Sequence, residues 1–115
     1  MKILIVDDNP LMRQAIKTIV AQPEDQTAEC PDGKSVVSAF EAFKPDWVLM
    51  DVKMKPINGI QATRDLKAAF PNAHVAIVTN YGDQEFKDEA KAAGAEQFFL
   101  KDNLPAIRNH LLSAM

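Results

Sequence analysis

Short apolar runs punctuate this chain. They fall at residues 3–6, 47–50, 75–78 and 98–100, with a weaker one around 27–30. Each is continuous rather than alternating, which is how strands covered on both faces read. Between them, apolar positions recur with a helical period. Residues 10–21 put Leu11, Ala15, Ile16, Ile19 and Val20 on one stripe. Asn9 is placed to cap that helix, and Pro10 takes its first position, where a missing N–H costs nothing. Residues 34–43 carry Val36, Val37, Phe40 and Phe43; residues 60–70 carry Ile60, Thr63, Leu66 and Phe70, and Pro71 stops them. Residues 84–93 follow Asp83, a candidate N-cap, and end at Gly94. Phe86 and several alanines are the apolar content of that segment, so it is expected to pack most loosely. Residues 104–115 carry Leu104, Ile107, Leu111 and Leu112 behind Asn103 as a cap. The pattern gives five strand–helix units of about 23 residues each, near the minimum for a right-handed crossover. The expectation is one α/β domain over residues 1–115, a doubly wound five-stranded parallel sheet flanked by five helices.

Composition narrows the classes without changing the fold. The 115 residues are 47% hydrophobic and 25% charged, ordinary for a globular chain. Thirteen Lys and Arg against sixteen Asp and Glu leave a net charge of −3, which draws the chain neither to nucleic acid nor to an anionic membrane. Cys30 is the single cysteine, so there is no internal disulfide, and no Cys/His cluster points to zinc. It reads as a small buried hydrophobe. Trp47 reads as packing, and His74 and His110 as surface or edge residues. The first apolar run is only four residues long, too short for a secretory signal or a membrane span. The reading is a soluble, cytoplasmic protein.

Doubly wound sheets bind ligands outside the carboxyl ends of their strands. In this chain the first strand ends at Asp7-Asp8, the third at Asp51, the fourth at Thr79 and the fifth at Lys101. Three carboxylates, a hydroxyl and an amine therefore gather on one edge. Like charges about 4 Å apart repel by roughly 4 kcal/mol at an effective dielectric near 20. An all-oxygen acidic cluster thus calls for a hard cation, Mg²⁺ or Mn²⁺. A cation with a hydroxyl and a lysine beside it suits phosphoryl chemistry, with a carboxylate as nucleophile.

Four motifs in order resemble the receiver domain of two-component response regulators, across the whole chain. They are Ile3-Leu4-Ile5-Val6-Asp7-Asp8-Asn9-Pro10; Val48-Leu49-Met50-Asp51-Val52-Lys53-Met54 with Asn58-Gly59; Val78-Thr79; and Phe98-Phe99-Leu100-Lys101. The resemblance implies a flavodoxin-like, CheY-like fold. It implies Asp51 as phosphoacceptor for a phosphohistidine on a sensor histidine kinase or a phosphotransfer protein. It implies Asp7 and Asp8 as the acidic pair that organises Mg²⁺, with Asp8, Asp51 and the backbone carbonyl of Lys53 as direct ligands. Thr79 matches the hydroxyl that bonds the phosphoryl group, Phe98 the aromatic that turns inward with it, and Lys101 the lysine on the phosphoryl oxygens. Such a chain is a phosphoacceptor switch rather than an enzyme.

The chain departs from the family pattern at three places. The proline after the acceptor, Pro56, comes one position late; Asn80 and Tyr81 follow Thr79 where a small residue is usual; and Asp102 rather than proline follows Lys101. A cis bond after Lys101 is therefore not expected, because without proline it costs about 2.5–4 kcal/mol. Lys101-Asp102 resembles the branch that carries a C-terminal helix-turn-helix. A second reading is a pseudo-receiver, an interaction module independent of phosphorylation. A haloacid-dehalogenase-type phosphatase lacks its second aspartate here, since Lys53 stands at that position, and Asp7-Asp8-Asn9-Pro10 would repel a flavin phosphate. The thin segment 84–93, with 97–100 and 104–115, is the expected output face and the surface for a homodimer.

Overall fold

The computed structural model describes residues 1–113. The chain alternates as the apolar pattern predicts: β1 (Lys2–Val6), α1 (Pro10–Val20), β2 (Gln26–Cys30), α2 (Val36–Phe43), β3 (Trp47–Met50), α3 (Gly59–Ala69), β4 (Val75–Thr79), α4 (Gln84–Ala93), β5 (Gln97–Leu100) and α5 (Leu104–Ser113). All strand pairs are parallel, in the order β2-β1-β3-β4-β5. The order reverses beside β1, which puts the crevice of this fold between the ends of β1 and β3.

Side chains along each central strand alternate between two cores. Leu4, Val6, Val48, Met50, Val75 and Ile77 join the core under α2, α3 and α4, while Ile3, Ile5, Trp47, Leu49, Ala76 and Val78 join the core under α1 and α5. From Ile3 to Thr79 the three inner strands are buried throughout. The edge strands β2 and β5 are only partly covered, so residues 98–100 are not the doubly buried run that their apolar content predicts. The last of the apolar strands in the sequence is an edge because no further strand pairs with it. At the amino ends of the strands, Trp47 is 7% exposed and lies between His74, 5.3 Å away, and His110, 5.6 Å away and edge-on.

The helices refine the expected bounds. Asn9 caps α1 as predicted, its Oδ1 accepting from the amides of Leu11 and Met12. Leu11, however, is 80% exposed and Ile19 is 38% exposed. The docked arc is centred on Ile16 and Val20. Leu11 lies about 100° from Met12 around the first turn, outside that arc, and Ile19 sits at its rim in the last turn. Leu112 is likewise exposed, one step round from buried Leu111. The second helix begins at Val36, two residues later than the periodicity suggests, because Asp32 Oδ1 accepts from the Ser35 amide and bends the entry. The third helix starts at Gly59, where Asn58 Oδ1 caps the Gln61 amide. Asp83 stands at the N-cap position of α4, but its side chain makes no capping bond. Asn103 does not cap the last helix; it lies in a 3-10 turn, Lys101–Asn103, that runs straight into α5. Residues 114 and 115, expected in this helix, lie outside the described residues.

The fourth helix is thinly seated, as its composition predicts. It fully buries only Ala90 and Ala93, and Gly94 (φ 110°) ends it in the left-handed region that glycine enters freely. The third helix buries Ile60, Ala62, Thr63 and Leu66. Each fully buried Ile or Leu side chain contributes roughly 1.5–3 kcal/mol, and α4 has none. Among the described residues, no helix is long and apolar enough to cross a membrane.

Candidate functional site

Two backbone bonds carry the ladder one residue past the strands and set the site's height. The Asp7 amide donates to the Cys30 carbonyl at 3.1 Å, and the Asp51 amide donates to the Val6 carbonyl at 2.9 Å. Asp7 and Asp51 thus stand side by side on adjacent strand ends. They are 0% and 5% exposed, whereas Asp8 is exposed at the mouth. One carboxylate oxygen from each of Asp7, Asp8 and Asp51 lies within 4.8 Å of the others.

Lys101, in the turn after β5, answers this negative charge. Its Nζ is 2.9 Å from Asp7 Oδ2 and 3.3 Å from Asp51 Oδ1. Burial opposes the ammonium's charge, but the close approach of Asp7 and the charge of Asp51 outweigh it, and the pKa is raised. Asp51 goes the same way for a different reason. Burial first, and the Asp7 charge second, push its carboxyl up from 3.8 to about 6, against the pull of Lys101 and the Val52 amide. The Val52 amide donates to Asp51 Oδ1 at 2.9 Å, and the Asn9 amide donates to Asp7 Oδ1 at 2.9 Å. Both carboxylates are therefore held in rotation by backbone. Asp7 Oδ2 is buried without a hydrogen bond; the Lys101 ammonium meets it as an ion pair outside hydrogen-bond geometry. An unbonded buried oxygen beside two further carboxylates is a donor set that could hold a hard divalent cation.

The remaining residues singled out in the sequence are placed around this cluster. Lys53 is exposed and shares a surface hollow with Asp8, Met54, Lys55 and Asn58. Its ammonium lies over the rings of Tyr81 at 4.9 Å and Phe86 at 5.2 Å. Thr79 is fully buried, and its Oγ1 accepts from the Tyr81 amide at 3.3 Å. Phe98 is half-buried and stands back from the acidic edge. It pairs with Ile77, one pleat below the Thr79–Leu100 pair, so Thr79 and Phe98 face the same side of the sheet. The Lys101–Asp102 bond is trans, and the late proline is joined to Lys55 by a cis bond.

Sequence reasoning missed two residues that shape the site. A Cβ on Gly59 would lie 1.7 Å from the Asp51 carbonyl oxygen, and the Gly59 amide donates to the Val52 carbonyl at 2.9 Å. Only glycine lets the start of α3 close on the end of β3. The Asn58-Gly59 motif was legible, but the close approach behind it was not. Arg13, on the second turn of α1, donates from Nη1 to the Asp7 carbonyl at 2.7 Å. A charged residue on an amphipathic helix carries no such signal, because it reads as a solvated side chain.

The fold and this cluster can be set against known proteins. Residues 3–112 match the family model described as the response regulator receiver domain. The chain belongs to that family. The receiver domain is 35% identical over 106 residues to the chemotaxis protein CheY of Thermotoga maritima, covering 91% of this chain and 88% of CheY. It is 35% identical over 106 residues to the uncharacterized transcriptional regulatory protein YxjL of Bacillus subtilis, covering 90% of this chain and 49% of that protein. The receiver domain spans about half the length of several curated relatives that it matches. Among solved structures, the response regulator domain of Thermotoga maritima CheB superposes with a TM-score of 0.85 at 27% identity, over 99% of this chain and 92% of that one. Receiver domains belong to the response regulators of two-component systems.

Proposed function

We propose that this receiver domain is a phosphoacceptor switch in which Asp51 takes a phosphoryl group from a phosphohistidine on a sensor histidine kinase or a phosphotransfer protein. The observation that carries the reading is one partly buried ammonium, Lys101, set between Asp7 and Asp51 beside a third carboxylate. Asp51 Oδ1 is held by the Val52 amide and faces Lys101, so Oδ2 is the oxygen that attacks phosphorus. The bond from phosphorus to the imidazole nitrogen breaks, and the nitrogen keeps the electron pair. Lys101 then pairs with phosphoryl oxygen. The Thr79 hydroxyl now only accepts from the Tyr81 amide, so its proton is free to donate to the same group.

The unbonded Asp7 oxygen and the convergence of the three carboxylates fit a bound Mg²⁺ or Mn²⁺. Asp8, Asp51 and the Lys53 carbonyl would hold it directly, and Asp7 through water. Bound there, the cation supplies charge neutralisation for the oxygens of the transferring phosphoryl group. The chain has no turnover beyond its own phosphorylation and dephosphorylation, and its place is the cytoplasm. Thr79 and Phe98 lie on one face one pleat apart, which supports a relay in which Phe98 fills the space that Thr79 leaves. The output face comprises α4, β5 and α5, with exposed Leu100 and Leu112 as apolar contacts for a second copy.

Acetyl phosphate with Mg²⁺ tests the reading by intact mass. Wild type should gain one phosphoryl group and Asp51→Asn none. An equal gain in the variant removes Asp51 from the role. No gain in wild type, with kinase as well as acetyl phosphate, would favour the phosphorylation-independent module.

A further inference from the structure

The acidic pair sits in a tight turn between β1 and α1, and a turn that carries two carboxylates needs something to hold it. Asp7 donates its amide to the ladder, but its carbonyl points past the last paired residue of β1. Buried backbone carbonyls need a partner. Arg13 supplies it, with Nη1 2.7 Å from the Asp7 oxygen. The other arm of the guanidinium is fixed as well: Nε lies 2.8 Å from Glu29 Oε1 on β2. The Arg13 side chain is only 16% exposed, and its own amide closes the first turn of α1 on the Asn9 carbonyl at 3.1 Å. Main chain and side chain of one residue thus brace both ends of the Asp7-Asp8-Asn9 turn.

We propose that Arg13, clamped by Glu29, is the positioning residue that keeps Asp7 and Asp8 arranged for a divalent cation. The proposal rests on the cation site argued above. A bare guanidinium this near the pair would repel a metal ion. Glu29 offsets that charge, so the pair supplies shape with little net field. The two contacts use two different edges of the fork, which a lysine ammonium cannot reproduce. Outer partners of this kind typically change metal affinity by about 10–100-fold when removed.

The experiment is Mn²⁺ titration, read as loss of the free-ion EPR signal, together with metal-free amide exchange at Asn9, whose N–H bonds Asp7 Oδ1. Arg13→Gln should weaken Mn²⁺ by about 10-fold and speed Asn9 exchange. Arg13→Lys should not restore either. Glu29→Gln keeps the contact to Asp7 but leaves the guanidinium charge unbalanced. It should weaken Mn²⁺ at low salt and approach wild type as salt screens the charge. Asp8→Ala should abolish binding in every background, which ties the signal to this site. Wild-type affinity and wild-type Asn9 exchange in Arg13→Gln would overturn the proposal and leave the cation site standing. Absence of Mn²⁺ binding by wild type would overturn both. If Arg13→Gln does not fold, Glu29→Gln decides: unchanged affinity at low salt overturns the proposal.

Discussion

Asp51 is a carboxyl that burial keeps partly protonated near pH 6 in the absence of metal. Its folded pKa lies above its unfolded value near 3.8, so the folded state binds more protons between the two. The stability this proton contributes is complete below about pH 4 and is lost as pH rises through 6. At about 1.4 kcal/mol per unit, the loss is on the order of 2–3 kcal/mol. Urea denaturation in EDTA from pH 4.5 to 7.5 should show that slope in wild type and lose it in Asp51→Asn. Parallel curves would mean that Asp51 titrates as an ordinary carboxyl. Lys101 is the counterpart. Replacing it with methionine leaves two buried carboxylates without their cation, and breaking a buried pair from one side costs about 3–5 kcal/mol. The same denaturation at pH 7.5 should show a loss of that order, partly recovered by Mg²⁺. At this scale the sequence was informative about Asp7, Asp8, Asp51 and Lys101, because strand ends are found from apolar runs. It was silent about Arg13, whose partner is a backbone carbonyl, and about the rotation of each carboxylate, which amides at Asn9 and Val52 hold.

Elements were legible to the extent that burial follows hydrophobicity. All five strands and five helices fall where the apolar periods put them. The errors arise where another interaction decides, as with the Asp32 turn that delays α2 and the 3-10 turn that replaces an Asn103 cap. Leu11 shows the same limit, since an apolar residue counts toward a stripe whether or not a neighbour covers it. Gly59 gives a sharp test of how elements meet. With a Cβ 1.7 Å from the Asp51 oxygen, Gly59→Ala must push α3 off the end of β3. Overpacking costs about 1–3 kcal/mol or more, and phosphorylation by acetyl phosphate should fall with it. A variant with wild-type stability and mass gain would show that the helix start yields freely. Because α4 fully buries only alanines, its amides should open at lower free energy than those of α3, by native-state hydrogen exchange. Equal protection in the two helices would contradict the burial argument.

At the scale of the molecule, the sheet separates two cores that, among the described residues, share no buried side chain. Thr79 and Phe98 face the core under α2, α3 and α4. A change that starts at Thr79 is therefore expected to reach α4 and β5 before α1. Amide exchange with and without beryllofluoride should show its changes on α4 and β5, and on α5 through its packing against β5. Changes confined to α1 and α2 would refute the relay. The single tryptophan adds a practical consequence. Trp47 opens β3 and Asp51 follows its end, four residues on, a separation of about 13 Å at the rise of an extended strand. The indole is enclosed by His74 and His110 at the opposite pole. Its emission should thus be nearly blind to cations or phosphoryl mimics at the acidic edge. A flat fluorescence titration of this chain would speak of the fluorophore's location and leave occupancy to be read by other probes.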